Sequence, residues 1–334
     1  MKRLFVKTLV ATAAVAVLGI APLAQAQTRT LKFANQNAKG HPIVLGMDKF
    51  AEIVNAKSGG KLKVTVFPGG ALGSDQANLS SLQGGTLEMA AMNSGIFASV
   101  VKDFAVYDFP FLVSSPKEAD ALLDGPVGKQ LHTRLEEKGL VGLAYFDLGF
   151  RELTNSKRPI AKVEDIAGLK LRVIPNPINV DWVSALGANP TPLPFPELYA
   201  ALEQKAVDGQ ENPVATIQGA KLNEVQKYMT LTNHQYNPQS VVISKKVWDQ
   251  LSADEKKLLQ DAATESAKYQ REQTRTAGST ILEALKKGGL QVTELPAAEV
   301  GKLRDKMKPV IAKHSAGIEA TVSAVQAELD KVRK

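Results

Sequence analysis

Apolar and polar positions alternate with a period of two over residues 31–35, where Leu31 and Phe33 share one face, and this predicts a strand. A helical period follows. Ile43, Val44, Met47, Phe50, Ala51 and Val54 recur at helical spacing, Pro42 suits the first turn, and Gly59-Gly60 ends the run. Residues 61–67 return to alternation, with Lys61, Lys63 and Thr65 set against Leu62, Val64 and Val66. Pro68-Gly69-Gly70 then breaks the chain. Ser74 or Asp75 caps a helix reaching Gln83, and Leu87, Met89 and Ala91 mark a third strand. This β-α-β-α-β order predicts a mostly parallel sheet covered on both faces.

A long helix over 116–138 and a strand over 140–146 close the first region, and the alternation restarts after Thr154. A strand at 169–174, a helix at 179–186, a short segment at 189–192, a helix at 196–204 and a strand at 206–210 form a second series. Val241-Val242-Ile243 predicts a strand returning to the first lobe. Ser252 and Glu255 make a capping box before a proline-free run to Lys287. At 1.5 Å per residue that helix is roughly 50 Å long, enough to brace two lobes, with Gly278 as its candidate soft point. From Pro296 the pattern is helical again, with Pro309 as the expected kink. The fold class is therefore α/β with two lobes, expected over 27–148 plus about 238–277 and over 149–237 plus about 278–334.

The first 26 residues stand apart from this pattern. Met1, Lys2, Arg3 and Lys7 form a basic start, residues 8–23 are almost wholly apolar, and Ala24-Gln25-Ala26 is a small-x-small site. Together they predict an export signal cleaved after Ala26. A retained anchor is the competing reading, but the apolar run is short for a bilayer span and contains Gly19 and Pro22. Cleavage would remove three of the 41 basic residues and none of the 34 acidic ones, leaving 38 against 34. This mild excess, scattered along the chain, argues against a nucleic-acid stripe and favours anionic ligands. The chain has no cysteine, which excludes thiolate catalysis, cysteine zinc sites and disulfides.

Catalytic patterns find little support. His41, His132, His234 and His314 lack metal-pair spacing, and H-E-x-x-H, G-x-S-x-G, Walker and dinucleotide glycine motifs do not occur. Gly69-Gly70-Ala71-Leu72-Gly73 reads as a turn. No cofactor or metal is expected. Polar residues at strand ends remain, where open α/β sheets form ligand crevices. Arg151 follows the strand at 140–146, and Arg172 lies inside apolar Lys170-Leu171-Arg172-Val173-Ile174. A buried guanidinium needs an anionic partner. Either a ligand supplies it or an internal carboxylate does, with Asp147, Asp165 and Asp208 as candidates. Gln36, Asn93 and the turn Asp208-Gly209-Gln210-Glu211-Asn212-Pro213 occupy similar strand ends, where capping and ligand contact are both open.

At these residues the chain resembles the solute-binding proteins of tripartite ATP-independent periplasmic (TRAP) transporters, the DctP-like family. The similarity runs through Phe109-Pro110-Phe111-Leu112, Leu123-Asp124-Gly125-Pro126-Val127-Gly128, Gly149 to Pro159, Gly168 to Val173, Leu186-Gly187-Ala188-Asn189-Pro190, Val207 to Pro213, Gln226-Lys227-Tyr228 and Leu231-Thr232-Asn233-His234. It implies a two-lobed periplasmic binding-protein fold, a long helix spanning both lobes, and closure around a carboxylate held by Arg172. It also implies help from Arg151 and Asn212, and a cleft lined by Gln36, Asp75, Asn93, Phe195 and His234. Asp147 and Asn176 complete the expected set. Core packing remains open for Phe195, a structural hydrogen bond for His234, and a turn or cap for Asn176.

The amides Gln36, Asn37, Asn93, Asn176, Asn179 and Asn212 suit a hydroxyl-rich ligand, which favours a sugar acid such as a uronate or aldonate. A C4-dicarboxylate or keto acid is the alternative. The expected partner is the TRAP membrane permease, with a sensor as the alternative recipient, and the binding protein is expected to be periplasmic and monomeric. An exported enzyme acting on an organic acid is the reading from a different class, disfavoured by the missing catalytic constellation.

Overall fold

The computed structural model describes residues 28–333, so the export signal and its cleavage point lie outside the described residues. The first lobe opens with β1 (Arg29–Ala34), α1 (Pro42–Lys57), β2 (Leu62–Phe67), α2 (Asp75–Gly84) and β3 (Met89–Asn93). α3 (Pro116–Asp124), α4 (Pro126–Arg134) and β4 (Leu140–Phe150) follow. The second lobe contains β5 (Glu152–Asn155), β6 (Lys170–Val173), α5 (Pro177–Ala185), β7 (Asn189–Pro192), α6 (Leu198–Glu203), β8 (Gly209–Asn212), α7 (Val214–Gly219) and β9 (Tyr228–Leu231). The chain then returns through β10 (Tyr236–Ser244), α8 (Lys245–Trp248), α9 (Ala253–Lys287), β11 (Gln291–Glu294), α10 (Ala297–Ser315) and α11 (Glu319–Arg333).

Two sheets result, ordered β2-β1-β3-β10-β4 and β11-β9-β5-β8-β6-β7. The first three strands pair in parallel as their periodicity predicts, but β10 runs antiparallel to both β3 and β4. The first sheet is thus mixed. β10 is contributed by a segment more than 140 residues downstream of β3, and its direction follows from the chain's re-entry, not from any local signal.

The predicted helix over 116–138 is two helices joined at Gly125-Pro126. Pro126 occupies the first turn of α4 and excludes helical angles from the residue before it, and Gly125 has ψ −176°. That junction also receives α11: a Cβ on Gly125 would lie 1.7 Å from Glu328 Oε1, while Glu328 Oε2 accepts from Val127 N at 3.3 Å. A carboxylate at a helix start is favoured by the free amides there. α11 packs on α3 and α4, and Arg333 reaches Glu118 at 3.0 Å. The last described helix therefore packs against α3 and α4 of the first lobe, whereas the sequence pattern grouped residues from about 278 onward with the second.

α9 starts where Ser252 and Glu255 cap each other's backbone and runs unbroken through Gly278 for 35 residues. Its early face places Leu259, Ala262, Ala263 and Ala267 in the core formed with Leu31, Phe33, Met47 and Phe50. Its far end places Leu285 in a separate core with Leu198, Ile217 and Met229. One helix is thus packed into both lobes. Gly46 of α1 admits it closely, since a Cβ there would sit 2.6 Å from the Gln270 side chain.

The lobes are also joined by two strand crossings. A single residue, Arg151, separates β4 from β5, and residues 232–235 separate β9 from β10. The crossings are tied by Arg151 N donating to Gln235 O at 2.8 Å.

Candidate functional site

The C-terminal ends of β1, β3, β6 and β8 converge on a cleft between the two sheets. It holds about 380 Å³ of free space, part of it open to solvent, and is lined by Gln36, Asp75, Asn93, Arg151, Arg172, Phe195 and Asn212 of the expected set. Asn37, Ile96, Leu148, Ile174, Pro194, Thr216 and Gln239 also line it. Thr216 and Gln239 lie on α7 and β10, and no sequence signal marked them as cleft residues.

Arg172 is only 2% exposed, yet it has no internal carboxylate partner. Its Nε donates to Leu193 O at 2.8 Å, and Cζ lies 5.9 Å from the Phe195 ring centroid. Among the described residues, no carboxylate comes within 4.0 Å of its guanidinium, and its two terminal nitrogens make no hydrogen bond. Burial lowers its pKa to about 10, with Arg151 acting in the same direction and Glu211 and Asp75 opposing. Two adjacent donors of a desolvated cation are thus available to a planar anion.

Arg151 differs. Its Nε and Nη2 meet the Glu211 carboxylate, Nη2 also donates to Glu211 O, and Nη1 donates to Asn237 Oδ1 at 2.7 Å. The carboxylate that satisfies it is Glu211, not Asp147, Asp165 or Asp208. Burial opposes ionisation of Glu211, but Arg151 and His234 together hold its carboxyl down to about 2.

Asp75 is buried at the start of α2, and its Oδ2 accepts from Asn93 N at 3.0 Å and Gln36 Nε2 at 3.2 Å. Its Oδ1 has no protein partner. Burial pushes the carboxyl up to about 7, against the Asn93 amide and the Arg172 charge. Asn212 Nδ2 donates to Gln210 Oε1 at 2.6 Å. Asn93 Nδ2 donates to Asn237 Oδ1 at 2.9 Å, and its Oδ1 accepts from Gly95 N.

Three expected residues lie away from the cleft lining. Asp147 accepts from Arg275 Nε at 2.9 Å on α9, a structural ion pair. Asn176 caps α5 and donates to Asp108 Oδ2 at 2.7 Å and Gly95 O at 3.0 Å. His234 packs on Trp182 with centroids 4.8 Å apart, and bonds Thr232 Oγ1 and Glu211 Oε2 at 2.7 and 3.3 Å. Each side chain bonds to protein groups outside the cleft lining. Among the described residues, no group of three or more His, Asp or Glu is placed to hold a metal, and no helix is long and apolar enough to cross a membrane.

A cleft between two α/β lobes with an unpaired buried arginine is the arrangement of a solute-binding protein. Residues 33–317 match the family model described as bacterial extracellular solute-binding protein, family 7, or DctP, and the chain belongs to that family. It is similar to the 2,3-diketo-L-gulonate-binding periplasmic protein YiaO of Escherichia coli K12, 36% identical over 79% of this chain and 80% of the relative. It is also similar to two solved structures. One is a TRAP periplasmic solute-binding protein from Ochrobactrum anthropi, with 56% identity and a TM-score of 0.81, covering 92% of this chain and 96% of that one. The other is the sugar acid binding protein DctPAm of Advenella mimigardefordensis in complex with galactonate. It has 43% identity and a TM-score of 0.89, covering 91% of this chain and 98% of that one.

Proposed function

We propose that this protein captures a sugar acid, a uronate or aldonate, in the interlobe cleft and delivers it to the membrane permease of a TRAP transporter. The observation that carries this reading is the buried Arg172 guanidinium, whose terminal nitrogens lack a hydrogen-bond partner, and which no carboxylate pairs, among the described residues. A ligand carboxylate supplies both the charge and the two acceptors that this group lacks. Arg151 is already neutralised by Glu211, so among the described residues lining the cleft Arg172 is the free cation, which suits one carboxylate better than two. The unpartnered Asp75 Oδ1 and the amides of Gln36, Asn37 and Asn212 suit ligand hydroxyls. The galactonate and diketogulonate named for the relatives above belong to the same chemical class.

In this reading Arg172 clamps the carboxylate, Phe195 walls it, and Asn212, Asp75, Gln36 and Asn93 surround the polyol. Arg151 adds its field from the crossing, while Asp147, Asn176 and His234 act through the scaffold. The chain is exported, cleaved after Ala26, and works as a monomer without catalysing a reaction. Its first lobe runs over 27–148 and about 238–277, joined by the terminal helix, and its second over 149–237 and about 278–318.

A thermal-shift screen across uronates, aldonates, C4-dicarboxylates and keto acids tests this, because a ligand that binds only the folded state raises its melting temperature. Sugar acids are expected to give the largest shifts. A response to succinate or a keto acid alone would overturn the substrate class.

A further inference from the structure

We propose that Asn237, held in turn by Asp108, is a positioning residue that sets Arg151 and Asn93 in place from behind the ligand cleft. The proposal rests on the reading of those two residues as cleft contacts. Asn237 is fully buried in β10 and does not line the cleft. Its Oδ1 accepts from Arg151 Nη1 at 2.7 Å and from Asn93 Nδ2 at 2.9 Å, filling both acceptor directions of one oxygen. Its Nδ2 donates to Asp108 Oδ1 at 3.2 Å. The amide therefore has one workable orientation, because a flip would turn its NH2 against two donors and its oxygen against a carboxylate.

Asp108 anchors this amide by being an acceptor surrounded by amide donors. It is fully buried, and its Oδ2 takes Asn176 Nδ2 at 2.7 Å and Asn179 Nδ2 at 3.2 Å. Gly95 makes the room, since a Cβ there would lie 2.0 Å from Asp108 Oδ2. The backbone is shaped to match: the β10–β4 ladder shifts register between Asn237 and Pro238, and such a bulge re-aims the adjacent side chain. A space filler would need none of these convergent donors. One amide here touches a cleft residue from each of two elements, β3 and the β4–β5 crossing, and so fixes their separation.

Calorimetric titration of the purified protein with D-galactonate tests the proposal. Asn237→Ala is expected to raise Kd about tenfold. Because Asn237 acts partly through Asn93 and partly through Arg151, the double variant Asn93→Ala with Asn237→Ala is expected to lose less affinity than the sum of the two single losses. An unchanged Kd for Asn237→Ala, or fully additive losses, would overturn the positioning role. Asn237→Ser, which keeps a small polar group in the same space, carries the same expectation should the alanine variant not fold. Failure of both to fold would mark the network as purely structural and also overturn it. Should wild type not bind D-galactonate, the ligand reading fails separately. The positioning role is then read from the Arg151 guanidinium ¹⁵N–¹H resonances, which are expected to move in Asn237→Ala and whose constancy would refute it.

Discussion

Arg151 and Glu211 form an ion pair in which both side chains are 1% exposed, at the one residue that joins the two sheets through β4 and β5. Removing either partner strands a charge where water cannot reach it. Glu211→Ala and Arg151→Ala are each expected to lower unfolding free energy by about 3–5 kcal/mol, read from urea melts. The pH dependence follows from Glu211, whose folded pKa is held down to about 2 against an ordinary 4.5. Its contribution is complete above 4.5 and is lost as pH falls through about 2. A melting profile that stays flat across that acid window in Glu211→Gln, but not in wild type, would match.

Arg172 gives the opposite stability result. It is buried without a carboxylate partner, so deleting its charge leaves no anion stranded. Arg172→Met keeps a long side chain beside Phe195 and is expected to leave the melting temperature of the free protein unchanged or higher. Ligand affinity is expected to fall at least about a hundredfold, the equivalent of two charged hydrogen bonds. Calorimetry and scanning fluorimetry on the same samples separate the two effects. A large loss of stability with affinity retained would remove Arg172 from the ligand site.

The contrast between the two arginines shows where sequence reading reaches. Both stand in apolar surroundings near strand ends, and local pattern predicts only that each needs an anion. Glu211 lies 60 residues from Arg151 and meets it because β5 and β8 pair antiparallel, with Glu152 opposite Asn212. No periodicity encodes that pairing. α9 was legible because its cap is local and its interior has no proline. The break at Gly125-Pro126 was also written locally, in the angles that Pro126 forbids to its predecessor. Asp108 and Asn237 carried no signal, since a buried polar network is defined by partners distant in the chain.

Asp75 predicts a pH-dependent affinity. Its carboxyl is pushed up to about 7 by burial, with the Asn93 amide and Arg172 favouring ionisation. In the free protein the folded form keeps this proton between about 3.8 and 7, where an unfolded aspartate has lost it. Asp75 therefore erodes stability as pH rises through that window. A ligand carboxylate on Arg172 cancels part of the charge that favours ionised Asp75 and brings a like charge close. Binding and ionisation of Asp75 then oppose each other. Kd is expected to rise between pH 6 and 8, by about tenfold for each unit that binding raises this pKa. Asp75→Asn should flatten the profile, and a wild-type Kd independent of pH would contradict the coupling.

Gly70 and Pro196 approach each other between the lobes, one on the turn after β2 and the other in the short turn before α6. A Cβ on Gly70 would lie 3.1 Å from Pro196 Cγ, tighter than ordinary contact, and Gly70 also has φ +72°. Gly69→Ala supplies the control. Gly69 has φ +71° but nothing within 4 Å of a would-be Cβ, so it carries the backbone cost without the steric one. Each substitution is expected to cost about 1–2 kcal/mol of stability from the left-handed conformation. Only Gly70→Ala should also weaken ligand binding, because its methyl group props the first lobe away from the second. Titration of both variants, with small-angle scattering to follow the ligand-induced decrease in radius, distinguishes these terms. Equal losses of affinity at the two positions would show that the Gly70–Pro196 approach does not limit closure.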